Sequence, residues 1–305
     1  MSHPHVLMIF LDGVGIGKKD PTVNPFFSAN LPALSNLLDG NIPYLRSKLF
    51  TSDGAVVMKL NTTMGVNGLP QSGTGQTALL CGVNAAKIIG KHFGPHPYSS
   101  LRQVIGEKNI FFNLSKRGKK VFYANAYPQM YFEYIEKHQT RRTATTMAYT
   151  MSGYDLNDHM KLERKEAVAS DITNERWNAM GFPKVPPITP NQAGKRLVKF
   201  LEKYDFVFYE YFFTDHAGHS QSLAKAKEEL EKIDGLLSGV LENFDKKSMM
   251  LILTSDHGNI EDLSTKSHTR NPVPLIFVGE NNRSNNLKLV KGLTQVAPAI
   301  LSLYH

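Results

Sequence analysis

The apolar positions of this chain fall into two patterns. Residues 6–11 form a short unbroken run that stops at Asp12-Gly13, as expected of a strand buried on both faces. Similar runs stand at 206–211, 249–253 and 274–278. Between them lie helical patterns at 31–38, 192–203 and 223–244. In the last of these, Leu230, Ile233, Leu237, Val240 and Leu241 recur at helical spacing among Lys and Glu residues. Apolar strands alternating with amphipathic helices predict an α/β fold with a mostly parallel sheet. Residues 87–190 break the alternation. They are richer in aromatic and basic residues and end in the proline-rich stretch 182–190. The pattern predicts a core built from 1–86 and 191–305, with 87–190 inserted as a cap.

Composition narrows the class. A chain of 305 residues has room for one elaborated domain or two. With 41% hydrophobic and 20% charged residues it reads as globular rather than disordered. No apolar run approaches the roughly 20 residues that span a bilayer, so no membrane partner is expected. The opening MSHPHVLMIFLDG has no basic region or small-residue cleavage site, and reads as a buried strand rather than a signal peptide. The one cysteine, Cys81, excludes an intramolecular disulfide, fits a cytoplasmic location and reads as a core residue. Lys and Arg exceed Asp and Glu by 35 to 27, a net charge of +8 that suits anionic ligands. The cluster Lys116, Arg117, Lys119 and Lys120 reads as a solvated helix end before a strand. No long basic run marks a nucleic-acid partner, so a small phosphorylated molecule is expected instead. Oligomeric state is not legible.

Chemistry-bearing residues gather where the strands end. Asp12 follows the first run, Asp215 and His219 follow 206–211, and Asp256 and His257 follow 249–253. His268 lies on the next loop, just before 274–278. Ligand sites of open parallel sheets lie beyond the carboxyl ends of the strands, so these segments would share one crevice. Three Asp and three His are ligand types suited to divalent Mn or Zn. A second element runs from Pro70 to Leu80, where a polar turn with Gly73 and Gly75 leads into an apolar helix. Ser72 would sit at the helix N-terminus, where peptide N–H groups favour an anion. A hydroxyl there could act as a nucleophile, or Ser72 or Thr74 could simply cap the helix. The run Gly13-Val14-Gly15-Ile16-Gly17-Lys18 fits neither the dinucleotide nor the Walker pattern. His216 reads as a pocket or surface residue. His3, His5, His96, His138 and His159 have no partner at ligand spacing.

Five motifs, in order and spanning nearly the whole chain, resemble those of the alkaline phosphatase superfamily. They are Leu11-Asp12-Gly13, Ser72-Gly73-Thr74-Gly75-Gln76, Asp215-His216-Ala217-Gly218-His219, Thr254-Ser255-Asp256-His257-Gly258-Asn259 and the run from His268 to Pro274. They are most similar to those of the cofactor-independent phosphoglycerate mutase and phosphopentomutase branch. The resemblance implies an alkaline-phosphatase-like three-layer core and two metal ions. Asp215, His219 and His268 would hold one ion; Asp12, Asp256, His257 and the Ser72 oxygen would hold the other. It also implies Ser72 as nucleophile and a phosphoserine intermediate, in a phosphomutase or phosphomonoesterase acting on a small phosphorylated metabolite. Asn259 and Glu261 are candidates for orienting the ligands. Gln76 stands where the mutases usually carry His, and the chain is much shorter than those mutases. Lys91, His92, Arg141 and Arg142 are the cationic candidates for a second anionic group of the substrate. The alternatives are a phosphodiesterase or other ester hydrolase and a non-catalytic metal-dependent binder. A sulfatase is disfavoured because neither Ser72 nor Cys81 has the C/S-x-P-x-R context, and a binder has no chemical need for Ser72.

Overall fold

The computed structural model describes residues 3–48, 50–51, 55–280 and 285–304. In chain order the strands are β1 (His5–Leu11), β2 (Phe50–Thr51), β3 (Val56–Leu60), β4 (Val121–Tyr123), β5 (Asn125–Ala126), β6 (Val168–Ala169), β7 (Phe206–Tyr211), β8 (Met249–Thr254) and β9 (Val273–Val278). The unbroken apolar run of β1 has a direct cause. Val6, Met8 and Phe10 enter one core, while Leu7, Ile9 and Leu11 enter a second core on the opposite face. A strand covered on both sides has no solvated face to mark with polar residues.

Seven strands form the main sheet in the order β2-β3-β9-β8-β1-β7-β4. β1 pairs in parallel with β7 and β8, and β4 pairs in parallel with β7. β9 runs antiparallel to β8, and β3 antiparallel to β9. Helices Ser72–Cys81, Ile110–Lys116 and Ala144–Met151 cover the first face; Pro190–Phe200 and Leu223–Leu241 cover the second. The expected three-layer α/β architecture with a mostly parallel sheet is the one observed. The run at 274–278 is a strand, but a reversed one. β3 was not anticipated, because Lys59 interrupts its apolar residues; its ammonium group donates to the carbonyls of Tyr44, Leu45 and Ser47 at 2.6–2.9 Å.

Residues 87–190 divide between two tasks. β4 joins the edge of the main sheet, and the helices 110–116 and 144–151 pack into the first core. Helix Gln129–Lys137 and the short helix Glu175–Ala179 instead border the cleft beside Asp12 and Ser72. The basic cluster falls at the end of Ile110–Lys116, immediately before β4. Cys81 is buried, and burial pushes its thiol up to about 12. Among the described residues no helix is long and apolar enough to cross a membrane.

The second face depends on one close helix crossing. A Cβ added at Gly239 would lie 2.0 Å from the Asn191 carbonyl oxygen, and one at Gly194 would lie 2.0 Å from that of Leu236. Both obstacles are backbone, so neither can swing aside. Gly239→Ala should separate Pro190–Phe200 from Leu223–Leu241 and cost about 1–3 kcal/mol, measured by chemical unfolding. Unchanged stability would show that the helices can shift apart freely.

Candidate active site

The turn after β1 sets the position of the first carboxylate. The Asp12 N–H donates to the Tyr211 carbonyl at 2.9 Å, and the Thr214 hydroxyl donates to the Asp12 carbonyl at 2.5 Å. Gly13 has φ +71°, and a Cβ there would lie 2.7 Å from Asp215 Oδ1; only glycine suits both conditions. Asp215 and His219 stand one turn apart on helix Phe213–Ser220, which starts just after β7. Asp256 and His257 follow β8. His268 precedes its strand rather than following it. Because β9 is antiparallel to β8, the start of β9 lies at the same sheet edge as the end of β8. The strand reversal therefore delivers His268 to the crevice.

Six candidate ligands converge there. His219 Nε2 lies 3.2 Å from Asp215 Oδ2, and His268 Nε2 lies 3.4 Å from Asp215 Oδ1. His257 Nε2 lies 3.2 Å from Asp12 Oδ1 and 3.7 Å from Asp256 Oδ2. The rings of His257 and His268 stack at 3.9 Å, joining the two halves. Ligand atoms of Asp215, His219 and His268 lie within 4.8 Å of one another, as do those of Asp12, Asp215 and His257. Asp256 is not in either of these groups, but it is fully buried beside Asp12 and His257.

The arrangement suits cations. His219 Nδ1 and His268 Nδ1 each meet a backbone carbonyl at 2.8 Å, of Lys266 and Pro70 respectively. A nitrogen facing a carbonyl must carry the proton, which leaves both Nε2 atoms as lone pairs in the neutral rings. Those two Nε2 atoms are 3.2 Å apart, a distance two lone pairs do not keep without a positive charge between or beside them. Asp12 Oδ1 and Asp256 Oδ2 are buried with no hydrogen-bond donor, which is costly for a carboxylate unless a cation serves it. Mixed imidazole and carboxylate donors fit divalent Mn or Zn.

The protonation pattern agrees. Burial drives the Asp256 carboxyl well above its ordinary range, and the Asp12 carboxylate adds to this. Burial opposes charging His257, yet Asp256 and Asp12 together push it up to about 10. Burial would raise Asp215, but hydrogen bonds from His219 and His268 hold it low.

Ser72 opens the helix Ser72–Cys81, every residue of which is buried. Its Oγ lies 2.9 Å from His257 Nε2. Neither Ser72 nor Thr74 is the N-cap: that position belongs to Gln71, and the Thr74 hydroxyl donates back to the Gln71 carbonyl. Gln76, where the resembling mutases carry His, donates from Nε2 to Asp12 Oδ2 at 3.3 Å and so orients that carboxylate.

Glu261 binds the loops together. Its Oε2 accepts from Gly15 N–H at 3.0 Å and from Asn259 N–H at 2.7 Å. Its Oε1 accepts from the Thr269 hydroxyl and from Asn271 Nδ2. Gly15 and Gly17 press on this residue, since a Cβ at Gly15 would lie 2.3 Å from Oε1 and one at Gly17 2.5 Å from the Glu261 carbonyl. That contact is what the glycine run 13–17 serves. Asn259 Nδ2 donates to Asp215 Oδ1 at 2.6 Å and to the Asp215 carbonyl at 3.1 Å. Asn259 orients an expected ligand; Glu261 holds the loops that carry them.

The cationic candidates go elsewhere. Lys91 lies over the rings of Phe93 and Tyr98, and His92 Nε2 faces the carbonyls of Thr63 and Val66. Arg141 is exposed against the Tyr134 hydroxyl, and Arg142 lines a separate pocket with Gln129 and Asp158. None of the four lines the cleft of about 610 Å³ that opens over Asp12, Ser72 and Asp215. Their sequence neighbourhood gave no information about distance from the site. His96 and His216 do line the cleft. Two further residues there escaped the sequence reading, Arg176 and Glu210. The Arg176 guanidinium covers the Phe213 ring at 3.8 Å. Glu210 is the one charged residue in the apolar run of β7, which is the signal that could have found it. It accepts a hydrogen bond from the Tyr123 hydroxyl, and burial pushes it up to about 7.

The family model of the metalloenzyme superfamily matches residues 4–305. The chain belongs to that family. This metalloenzyme is also 33% identical over 153 residues to the 2,3-bisphosphoglycerate-independent phosphoglycerate mutase of Salmonella paratyphi B, an alignment covering 45% of the chain and 29% of the mutase. The corresponding mutase of Moorella thermoacetica is 28% identical over 130 residues, 41% of the chain and 25% of that protein. The matches thus span less than a third of these relatives. Among solved structures, a Pyrococcus horikoshii protein superposes with TM-score 0.59 at 16% identity, covering 100% of this chain and 97% of that one. Alkaline phosphatase from the Antarctic bacterium TAB5 superposes with TM-score 0.54 at 13% identity, covering 100% and 98%. These superpositions show that the chain shares the fold of both proteins. Divalent metal use and an enzymatic role follow from the family and from the two candidate ligand groups.

Two outcomes are expected. Protonated His257 repels a cation, and its pKa is raised to about 10. Metal affinity should therefore rise as pH is raised from 7 toward 10, with net proton release on binding, measured by titration calorimetry in buffers of different ionisation enthalpy. Binding without proton release would contradict the charge pattern. Glu261→Gln places an amide NH2 against groups that are themselves donors, and should cost on the order of 3 kcal/mol in chemical unfolding while lowering metal content by elemental analysis. Wild-type values for both would remove Glu261 as the tie.

Proposed function

We propose that this metalloenzyme is a two-metal phosphomonoesterase that acts through a phosphoserine at Ser72. The observation that carries this is the Ser72 hydroxyl, 2.9 Å from His257 Nε2, inside a cluster of carboxylates and imidazoles and at the start of a buried helix. In this scheme Asp215, His219 and His268 would hold one Mn or Zn ion, and Asp12, Asp256, His257 and the Ser72 oxygen would hold the other. When bound, the cations supply charge neutralisation for the phosphoryl oxygens and favour the ionised Ser72 hydroxyl.

The chain's own residues do the rest. Ser72 Oγ attacks phosphorus in line, the ester P–O bond breaks, and the alcohol leaves with a proton. Water then attacks the phosphoserine, restoring the Ser72 hydroxyl and releasing inorganic phosphate. Gln76 holds Asp12 in place and Asn259 holds Asp215, so neither carboxylate must reorient as charge develops. Helix Gln129–Lys137 and the segment around Glu175–Ala179 act as the cap over the site. Water as acceptor is favoured over a second substrate hydroxyl because Lys91, His92, Arg141 and Arg142 do not line the cleft, and Arg176, which does, covers the Phe213 ring. A cytoplasmic location, with a small phosphorylated molecule as partner, is in keeping with a single buried Cys81 and the +8 charge.

Ser72→Ala should reduce phosphate release from 4-nitrophenyl phosphate by at least about a thousandfold while metal content is retained. Turnover near the wild-type rate would remove Ser72 as nucleophile. Isomerised phosphoester without free phosphate would assign the enzyme as a mutase.

A further inference from the structure

The walls of the cleft are unlike those a small polyanion needs. Away from the expected metal ligands they carry Tyr127, Tyr131, Tyr134, Trp177, Phe212 and Phe213. Tyr127 and Tyr131 stack at 4.2 Å, giving a flat aromatic surface. Three apolar side chains at the cleft are left open to solvent: Met130 is 60% exposed, and Tyr134 and Met180 are each 38% exposed. Solvent-exposed apolar groups clustered around a reaction centre mark a surface that a ligand covers.

Charge points the same way. Among the described residues, Arg176 is the one Lys or Arg lining the cleft, and it already covers Phe213. Against it stand the carboxyl groups of Asp171 and Glu210, both buried in the same wall. A single guanidinium already stacked on a ring and backed by two buried carboxyl groups is a poor seat for a second carboxylate or phosphate. Arg141 lies beyond the rim, exposed and donating to the Tyr134 hydroxyl.

We propose that the substrate is a phosphate ester whose alcohol part carries a flat aromatic ring and no second anionic group, the ring lying between Tyr127/Tyr131 and the Met130, Tyr134 and Met180 rim. This rests on the phosphoryl-transfer function proposed above. Simple aryl-alkyl alcohols and nucleosides share this chemistry.

The test compares esters with leaving alcohols of similar acidity, so that intrinsic reactivity does not decide the outcome. With Mn- or Zn-loaded enzyme, kcat/KM for benzyl phosphate should exceed that for ethyl phosphate, and that for 3-phosphoglycerate, by at least about tenfold, the effect of burying a phenyl ring. Adenosine 5′-monophosphate is the nucleoside arm. A preference for it over benzyl phosphate assigns a nucleoside, and the reverse assigns a simpler aromatic alcohol. Met130→Glu and Tyr134→Glu, both at solvent-exposed positions, should lower the benzyl-to-ethyl ratio within each variant. Trp177 is the only tryptophan of the chain and lines the cleft, so its fluorescence should change with benzylphosphonate and not with methylphosphonate.

A benzyl-to-ethyl ratio near one, or preference for 3-phosphoglycerate, with 4-nitrophenyl phosphate still hydrolysed, would overturn the inference and leave the phosphoryl-transfer function standing. No phosphate release from any ester, 4-nitrophenyl phosphate included, would overturn both.

Discussion

The buried carboxylate of Glu261 is the constraint on which the site depends. It accepts four hydrogen bonds, from Gly15 after β1, from Asn259 after β8, and from Thr269 and Asn271 ahead of β9. Those are the loops that carry Asp12, Asp256, His257 and His268. A carboxylate is suited to this because it only accepts, and the loops offer two peptide N–H groups, a hydroxyl and an amide. Remove that common acceptor and four donors in two loops lose their partner together, in a place water does not reach. The glycines at 15 and 17 follow from the same contact: the carboxylate sits where their side chains would be.

That tie explains how a set of like charges is held close. Asp12, Asp215 and Asp256 sit at one sheet edge with three imidazoles, and electrostatic repulsion among the carboxylates would drive their loops apart. Backbone hydrogen bonds and Glu261 fix the loops, and the crowding of charge shows in Asp256, whose carboxyl is pushed well above its ordinary range by burial and by Asp12. The strain is electrostatic rather than conformational, and it is relieved by positive charge. Oriented Nδ1 atoms on His219 and His268 aim the remaining lone pairs at one point, so affinity for a cation is built into the backbone carbonyls as much as into the ligands.

The cleft above follows a different logic. Its floor is fixed by the strands, whereas its walls come mostly from short helices and turns within residues 87–190, with Phe212 and Phe213 added after β7. The two parts differ in chemistry as well: carboxylate and imidazole below, aromatic rings and thioethers above. The division fits an enzyme whose reacting group is handled by the sheet edge and whose selectivity is set by the cover.

Much of this was legible in the chain itself. The doubly buried strands announce themselves as unbroken apolar runs, because two covered faces leave no polar alternation, and three of the four runs stop just before a candidate ligand. The local order of residues in Asp215-His216-Ala217-Gly218-His219 sets two side chains one helical turn apart whatever surrounds them. Other features depend on contacts between segments distant in sequence. The reversal of β9 brings His268 to the crevice, and no residue near 268 encodes its partner strand. Lys91, His92, Arg141 and Arg142 looked like substrate groups by charge, yet three-dimensional packing turns them onto rings, carbonyls or other surfaces. Arg176 and Glu210, unremarked in the chain, line the cleft. Local pattern specifies which residues face inward along one element, since that depends on helical or strand periodicity alone. Which elements meet, and therefore whether six ligands share a crevice and whether its walls are cationic or aromatic, is decided by tertiary packing.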